Sequence, residues 1–319
     1  MIDVAPEVSV IMPVYNRDWC VARAVESVMA ITSHRLELIV VDDGSTDRTA
    51  EIVANLARCY AERIRILRHA HACNRGISAS RNLGLRHARA PLIAFLDSDD
   101  CYLVHRFECA VTWMRAHPQL LAGIEPYEVE ENGIRQLEQH LTVLDIDADG
   151  RVDALDALLN GRRQWTTPVF TVRREAFAKL GEFDSRFHVG EDTALWLRFA
   201  AVRGVGVIGS DRPVATVHRH DNHSWTPLDE DRSWQVYLRA LVDAVAWSRK
   251  RSSRVDVAAR RALRTRLRSY LIETLIRPGA HRGRALRAWW QAVRQAPALT
   301  LDRAVNANLV RVLTGQMRP

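Results

Sequence analysis

The sequence predicts an α/β fold with a mostly parallel sheet flanked by helices, followed by a helical C-terminal extension. Strand and helix patterns alternate over the first hundred residues, which is the arrangement of successive βαβ units. From about Asp231 onward the apolar spacing is helical, with breaks near Pro278-Gly279 and Pro297. The chain has 319 residues, of which 47% are hydrophobic, so it can hold one large α/β domain and a smaller appendage.

Four strands are predicted from short segments rich in apolar or β-branched residues, and the fourth is an uninterrupted apolar run of the kind that is buried on both faces of a sheet. They cover Val8–Val14, Leu36–Val41, Ile64–Leu67 and Pro91–Leu96. Helical spacing of apolar residues fills the intervals between the strands. The predicted helices cover Trp19–Ala30, a segment capped by Ser45 or Thr46 that ends near Tyr60, and Ser78–Ala88.

Later elements follow weaker patterns. Helical spacing covers 107–117 and 191–203, peripheral strands are predicted within 127–146, and 170–172 is a short strand. We expect an α/β domain over residues 1–225 and a basic helical region over residues 226–319. Their charges differ, because residues 226–319 carry 19 Arg or Lys against 7 Asp or Glu, a net +12, whereas residues 1–225 carry 26 against 31, a net −5.

Cysteine usage and hydropathy indicate a cytoplasmic protein. The five cysteines are an odd number without a CxxC pair, which fits reduced thiols better than disulfides or a zinc site. No apolar run has the length needed to span a bilayer, and the first residues lack the basic and apolar regions of a signal peptide.

The basic C-terminal region has two interpretations. Arginines lie beside a leucine stripe within residues 260–275 and beside Trp289-Trp290 in a later helix. Basic helices with tryptophans are typical of contact with an anionic membrane, here the inner face of the cytoplasmic membrane. Alternatively, the stripe packs on the α/β domain and the arginines are solvated. We favour packing for the leucines and membrane contact for the tryptophans, and we expect no nucleic-acid partner because no such motif accompanies the charge.

Three carboxylates directly follow the fourth predicted strand, at Asp97, Asp99 and Asp100. Like charges this close repel one another unless a cation lies between them. A divalent cation that carries a nucleotide diphosphate is the natural candidate. For this segment in isolation, the alternative is a solvated acidic turn.

Three further polar segments complete an ordered set. Two of them, Pro13–Arg17 and Asp42–Asp47, end predicted strands, and Asn74–Asn82 leads into a predicted helix. Strand ends of a parallel sheet share one edge, where open α/β folds bind ligands. The set resembles the inverting glycosyltransferases of family 2, which have the nucleotide-binding GT-A fold, and the resemblance covers roughly Val8 to Ser224.

The resemblance implies how a donor nucleotide binds. In such enzymes the segment that matches Pro13 and Tyr15 lines the base pocket, and the Asp that matches Asp43 accepts a hydrogen bond from the base, usually uracil. The match to the DxD motif implies that Asp97 contacts the ribose or a metal-bound water. It also implies that Asp99 ligates Mg²⁺ or Mn²⁺ on the diphosphate, while Asp100 supports the ligands.

Two donor-site residues have structural alternatives. Asp43 would shape a turn with Gly44 instead of binding the base. Arg81, together with Arg75, would support the diphosphate, or Arg81 would pack against the sheet in an ion pair.

An inverting transfer needs a base that deprotonates the acceptor hydroxyl. The stretch from Gly181 to Asp192 resembles the Gly-Phe-Asp and later Glu-Asp of the family, which implies that Asp192 is the base. Glu191 is the alternative, and either carboxylate would otherwise only complement a helix dipole. His220 best matches a family histidine near the diphosphate and is assigned to the metal site. Trp165 lies where the family builds acceptor contacts, or else belongs to the core.

The implied activity is metal-dependent, inverting transfer of a sugar from a nucleotide sugar, in most such enzymes a UDP-sugar. The acceptor would be a hydroxyl of a glycan or lipid-linked molecule in surface polysaccharide or glycolipid synthesis. The alternative is an inactive GT-A-like scaffold with a membrane-associating tail, against which the intact carboxylates argue. A dinucleotide dehydrogenase is disfavoured because no GxGxxG follows the first strand, and a nucleotidyltransferase because Tyr15–Asp18 replaces the usual Gly-rich basic loop.

Overall fold

The computed structural model describes residues 5–138, 165–187, 189–209 and 212–220, and further along the chain residues 282–295 and 303–314, scattered positions between 236 and 267, and Pro297. The chain divides into two compact units, one of residues 1–154 and 165–226 and the other of residues 155–164 and 227–319. The domain boundary after residue 225 stays a prediction.

The described elements are numbered in chain order. The strands are β1 (Val8–Val14), β2 (Leu36–Asp42), β3 (Ile64–Arg68), β4 (Leu92–Phe95), β5 (Cys101–Tyr102), β6 (Ala122–Ile124), β7 (Tyr127–Glu131), β8 (Ile134–Glu138), β9 (Phe170–Arg173), β10 (Val205–Val207) and β11 (Ala215–Arg219). The helices are α1 (Val21–Met29), α2 (Thr49–Cys59), α3 (Ile77–His87), α4 (Ala110–Ala116), α5 (Arg174–Leu180), α6 (Glu191–Ala201), α7 (Arg282–Gln295) and α8 (Arg303–Thr314).

Two sheets form the first unit. The main sheet has seven strands in the order β10-β6-β9-β4-β1-β2-β3, and the second has four in the order β5-β11-β7-β8. In the main sheet only β9 runs antiparallel to its neighbours, and the other described pairings are parallel. This mostly parallel α/β architecture confirms the predicted fold class.

The first four strands and three helices lie where the sequence predicts them, with ends shifted by a few residues. The predicted strands of 127–146 correspond to β7 and β8, and the remainder of that range lies outside the described residues. Strands β6 and β10 were not predicted, because each has only three residues with a central glycine. Helices α7 and α8 lie on either side of Pro297, one predicted break, while Pro278-Gly279 lies outside the described residues.

Strand register brings the polar segments together. Val14 of β1 pairs with Asp42 of β2, and the backbone N–H of Asp43 donates to the carbonyl of Val14 at 2.9 Å. On the other side of β1, the N–H of Leu96 donates to the carbonyl of Ile11 at 3.1 Å. The segments that follow β1, β2 and β4 therefore leave the sheet side by side at its carboxyl edge.

Aromatic packing fixes α6 on the main sheet. The ring of Trp196 stacks on Phe170 of β9, with centroids 3.6 Å apart and planes 9° apart. Phe183 packs edge-on against Phe95 of β4 at 5.1 Å and against Trp196 at 6.3 Å. Because buried aromatic rings dominate core energetics, this cluster holds the first turn of α6 at the sheet edge.

None of the helices that the structure describes combines the length and the hydropathy needed to cross a bilayer. Of the predicted leucine stripe, the described member Leu267 is fully buried. The contact of the stripe with the α/β domain stays a prediction.

Candidate active site

A cleft of about 320 Å³ opens at the carboxyl edge of the main sheet. It is lined by seven of the eight residues that the sequence singles out, namely Pro13, Tyr15, Asp43, Arg81, Asp97, Asp99 and Asp192. The eighth, His220, follows β11 of the second sheet and contacts Asp99. The structure thus brings these eight residues together, although the role of each residue stays a prediction.

Asp43 is buried beside Tyr15 and holds the loop before α3. Its two carboxylate oxygens accept the backbone N–H groups of Arg75 and Gly76 at 2.7 and 2.9 Å. The ring of His69 lies 3.5 Å away. Gly44 has φ +84°, and a Cβ there would lie 2.5 Å from the carbonyl oxygen of Ala72, so this loop can approach only a glycine. Asp43 therefore holds the loop that precedes α3, whereas the turn at Gly44 involves Asp42, whose Oδ1 accepts the backbone N–H of Ser45 at 2.9 Å. A carboxylate that accepts two bonds keeps capacity for a third, and the contact of Asp43 with a base stays a prediction.

Arg81 lies buried between two carboxylates. Its terminal nitrogens donate to Glu191 and to Asp97, each at 2.6 Å, and one of them also lies 3.4 Å from the hydroxyl of Thr167. Burial alone would lower the pKa of Arg81, but the charges of Asp97 and Glu191 outweigh it and raise the pKa. This geometry is the ion pair that the sequence leaves as an alternative, and the contact of Arg81 with a diphosphate stays a prediction.

Asp99 contacts basic side chains from three segments. Its Oδ2 lies 3.2 Å from Nε2 of His220 and 3.7 Å from Nε of Arg17, and its backbone carbonyl accepts from Arg23 at 3.0 Å. The ring of Trp19 meets the His220 ring edge-on at 4.9 Å. The sequence analysis includes Arg17 in the strand-end segment Pro13–Arg17 but gives it no role of its own, and it assigns no site role to Trp19 or Arg23.

Asp100 connects the second sheet to residues Asp97–Asp100, which we call the carboxylate segment. Its Oδ1 accepts the backbone N–H of His218 at 2.9 Å, two residues before His220. Burial raises the pKa of Asp100 well above its usual range, and the neighbouring charges of Asp99 and Asp97 raise it further. The hydrogen bond positions the end of β11 so that His220 reaches Asp99.

The carboxylate segment fits a divalent cation. Oδ2 of Asp99 and Nε2 of His220 lie 3.2 Å apart, so an oxygen and a nitrogen ligand would be available side by side. Within the described ranges, no three His, Cys, Asp or Glu side chains gather around one point as a complete ligand set. Magnesium in particular is usually held by one or two carboxylates together with substrate phosphates and water.

Glu191 and Asp192 begin α6 in different environments. Glu191 is buried against Arg81, and burial raises its pKa to about 7. Asp192 lines the cleft, and its Oδ1 accepts the backbone N–H of Thr193 at 2.6 Å. Burial also raises the pKa of Asp192, while Arg81 opposes the rise. Among the described residues, no hydrogen-bond partner occupies its Oδ2, so this oxygen remains available in the cleft.

Trp165 belongs to the core. Its side chain is buried, and its ring packs edge-on against Phe170 at 5.4 Å. The next two residues, Thr166 and Thr167, line the cleft instead.

A main sheet of this order with a carboxylate-lined cleft at its carboxyl edge is the arrangement of a GT-A glycosyltransferase. Residues 9–181, more than half of the chain, match the family model of glycosyl transferase family 2. The chain belongs to this family, which confirms the predicted family and the predicted class of enzyme.

Curated relatives resemble the chain over part of their length. It is 27% identical over 212 residues to an uncharacterized glycosyltransferase of Rickettsia conorii. This match covers 66% of this chain and 32% of the relative. It is 36% identical over 112 residues to the uncharacterized glycosyltransferase YibD of Escherichia coli. This match covers 35% of this chain and 31% of YibD. The matches thus span about a third of each relative.

Solved structures match almost the whole chain. S. aureus TarS 1-349 in complex with UDP-GlcNAc has a TM-score of 0.71 at 17% identity, covering 98% of this chain and 93% of that one. The mannosyltransferase PcManGT from Pyrobaculum calidifontis, in complex with GDP-Man and Mn²⁺, has a TM-score of 0.56 at 19% identity. This match covers 99% of this chain and 89% of PcManGT. At these identities the likeness establishes the fold, and the predicted GT-A fold is confirmed.

Proposed function

We propose that this protein transfers a sugar, with inversion, from a nucleotide diphosphate sugar to the hydroxyl of an acceptor. The observation that carries the proposal is the single cleft that joins Asp43, the carboxylates of Asp97 and Asp99, and Asp192. These are the groups needed at the base, at the diphosphate and at the acceptor hydroxyl, in one connected space.

The nucleoside end of the donor lies beside Pro13, Tyr15 and Asp43. A uracil N–H needs a hydrogen-bond acceptor, and the Asp43 carboxylate, directly after β2, retains free acceptor capacity. Asp97 contacts the ribose. The UDP-GlcNAc bound by TarS supports a UDP-sugar as the first donor to test, and the GDP-Man of PcManGT makes a GDP-sugar the second.

The diphosphate end lies at Asp99, His220 and Arg17. Asp99 and His220 would hold Mn²⁺ or Mg²⁺, which when bound neutralises the charge that develops on the departing nucleoside diphosphate. Arg17 lines the cleft with a quarter of its side chain exposed, whereas Arg81 is buried by carboxylates. Arg17 is thus the arginine of the described cleft lining that is placed to contact the phosphates.

Asp192 takes the proton of the attacking hydroxyl. Burial raises its pKa, which makes its carboxylate a stronger base than an ordinary Asp. Glu191 is less suited because Arg81 occupies its carboxylate. Arg81 in turn positions Asp97 and the first turn of α6.

The acceptor is a glycan or lipid-linked hydroxyl in surface polysaccharide or glycolipid synthesis, modified in the cytoplasm at the inner face of the membrane. This step is supported by the net charge of +12 over residues 226–319. The competing hypothesis is an inactive GT-A-like scaffold, which would bind no donor in a metal-dependent way.

A thermal-shift panel tests the proposal. The protein is melted with UDP-, GDP- and dTDP-sugars, with and without Mn²⁺, and Asp99→Asn is the control variant. Since a ligand that binds the folded state stabilises it, one sugar nucleotide should raise the melting temperature only with Mn²⁺. The rise should be absent in Asp99→Asn. A folded sample that responds to no nucleotide sugar would favour the scaffold.

A further inference from the structure

Helix α7 exposes large apolar side chains. Leu286 is 42% exposed and Trp290 is 56% exposed, whereas Val293 of the same helix is buried. Exposed tryptophan is unusual, and an apolar strip bordered by charge is typical of an interaction surface.

Helical geometry places the exposed residues on one face. At about 100° per residue, Leu286, Trp290, Arg294 and Arg287 follow one another within an arc of roughly 100°. Leu286 and Trp290 form the apolar half of this arc, and the exposed side chains of Arg294 and Arg287 form its basic half. We call these four residues the α7 face.

The positive charge of the α7 face has no acidic residue on the same helix to balance it. The sequence of α7, RGRALRAWWQAVRQ, contains four arginines and no Asp or Glu, and α8, RAVNANLVRVLT, contains no Asp or Glu either. A partner that engages both halves of the face would supply negative charge together with apolar depth. Anionic lipid does both, because its phosphates pair with arginine while leucine and the tryptophan ring enter the boundary between headgroups and acyl chains.

We propose that the α7 face docks on an anionic membrane surface. Nucleic acid would satisfy the arginines but offers no site for an aliphatic side chain such as Leu286 beside them. Docking is independent of the transfer reaction. If the proposed lipid-linked acceptor is correct, docking also keeps the enzyme on the surface that carries the acceptor.

Vesicle flotation of the full-length chain tests this surface at low salt. The vesicles contain about one-third phosphatidylglycerol in phosphatidylcholine, and pure phosphatidylcholine vesicles are the neutral control. The variants are Arg287→Gln/Arg294→Gln and Trp290→Ala. The matched control, Arg48→Gln/Arg58→Gln, removes the same charge from two exposed positions of the first unit. Melting temperatures verify that each variant is folded.

The proposal predicts binding to anionic vesicles only. Each arginine near an anionic surface contributes roughly fivefold, so the double arginine variant should bind about 25-fold more weakly. Trp290→Ala should bind about tenfold more weakly, since it loses most of a buried ring. The matched control should bind within about twofold of wild type.

Three results would overturn the proposal. They are no flotation of the wild type, an equal loss in the matched control, and tighter binding to an oligonucleotide duplex than to vesicles at the same salt concentration. Donor binding in the thermal-shift panel reports separately on the transferase proposal, so the two fail independently.

Discussion

The Arg81 guanidinium donates to Oε1 of Glu191 over 2.6 Å, and the structure buries both side chains. Its other terminal nitrogen donates to Oδ1 of Asp97, also over 2.6 Å. One buried cation therefore joins the strand-end carboxylates to the helix that carries the proposed base. Arg81 and Glu191 are 110 residues apart in sequence, so this contact organises the cleft through tertiary structure alone.

Replacing the buried cation should destabilise the fold strongly. Arg81→Met leaves two carboxylates without their partner, and breaking a buried pair in this way costs about 3–5 kcal/mol. Urea unfolding measures the loss. Arg86→Met is the matched control, because its pair with Glu182 is 55% and 40% exposed and should contribute under about 1 kcal/mol. Equal losses in the two variants would contradict the structural role of Arg81.

Asp43 should matter for nucleotide affinity. Asp43→Asn keeps the shape of the side chain but replaces one acceptor oxygen with a donor, which conflicts with an N–H of the loop or of the base. A hydrogen bond to a charged group contributes about 1.5–3 kcal/mol, so UDP affinity should fall by about tenfold or more in calorimetry. Asp42→Asn, one residue earlier, should leave UDP affinity within about twofold because Asp42 pairs with Ser45 and Arg68. Unchanged affinity in Asp43→Asn would remove it from the base site.

Arg17 should act on the phosphates and not on the nucleoside. Arg17→Gln removes one cation from the cleft, so UDP should bind about tenfold more weakly while uridine, which lacks phosphates, binds as before. Titration of both ligands gives the two affinities. Arg48→Gln, on an exposed side chain outside the cleft, is the charge-matched control. An equal loss for uridine and UDP would show that Arg17 supports the loop instead of the diphosphate.

The rate of transfer should depend on the protonation of Asp192. A base works only when deprotonated, and burial raises the pKa of Asp192 above its ordinary value of 3.8. The rate should therefore rise with pH, and the midpoint of this acidic limb should lie above that ordinary value. The limb should disappear in Asp192→Asn, measured under saturating donor. A limb that persists in this variant would belong to another group.

The sequence was sufficient for the first hundred residues because their elements are encoded locally. Apolar and β-branched runs predict β1, β2 and β4, and parallel geometry then requires their polar ends to share an edge. The short strands β6 and β10, with a glycine at the centre of three residues, have no comparable local pattern. Their positions follow from tertiary pairing, since β6 lies between β9 and β10, and β10 pairs with β6 at the edge of the sheet.

Contacts between distant segments account for what the site analysis missed. Trp19 meets His220 because β11, in the second sheet, is anchored by Asp100. Arg17 meets Asp99 because the segments after β1 and β4 leave the main sheet side by side. The sequence also left Arg81 between a diphosphate contact and an ion pair. The ion pair of Arg81 depends on the position of Glu191, and aromatic packing of α6 on the main sheet sets that position.

The most direct test separates donor binding from transfer in Asp192→Asn, with Glu191→Gln for comparison. Calorimetry gives the affinity for the donor that the thermal-shift panel identifies, and single-turnover release of nucleoside diphosphate gives the rate. We predict that Asp192→Asn binds donor as wild type does but transfers about 10³-fold more slowly. Glu191→Gln should retain more activity than Asp192→Asn. Near-wild-type transfer by Asp192→Asn would contradict the assignment of Asp192 as the base.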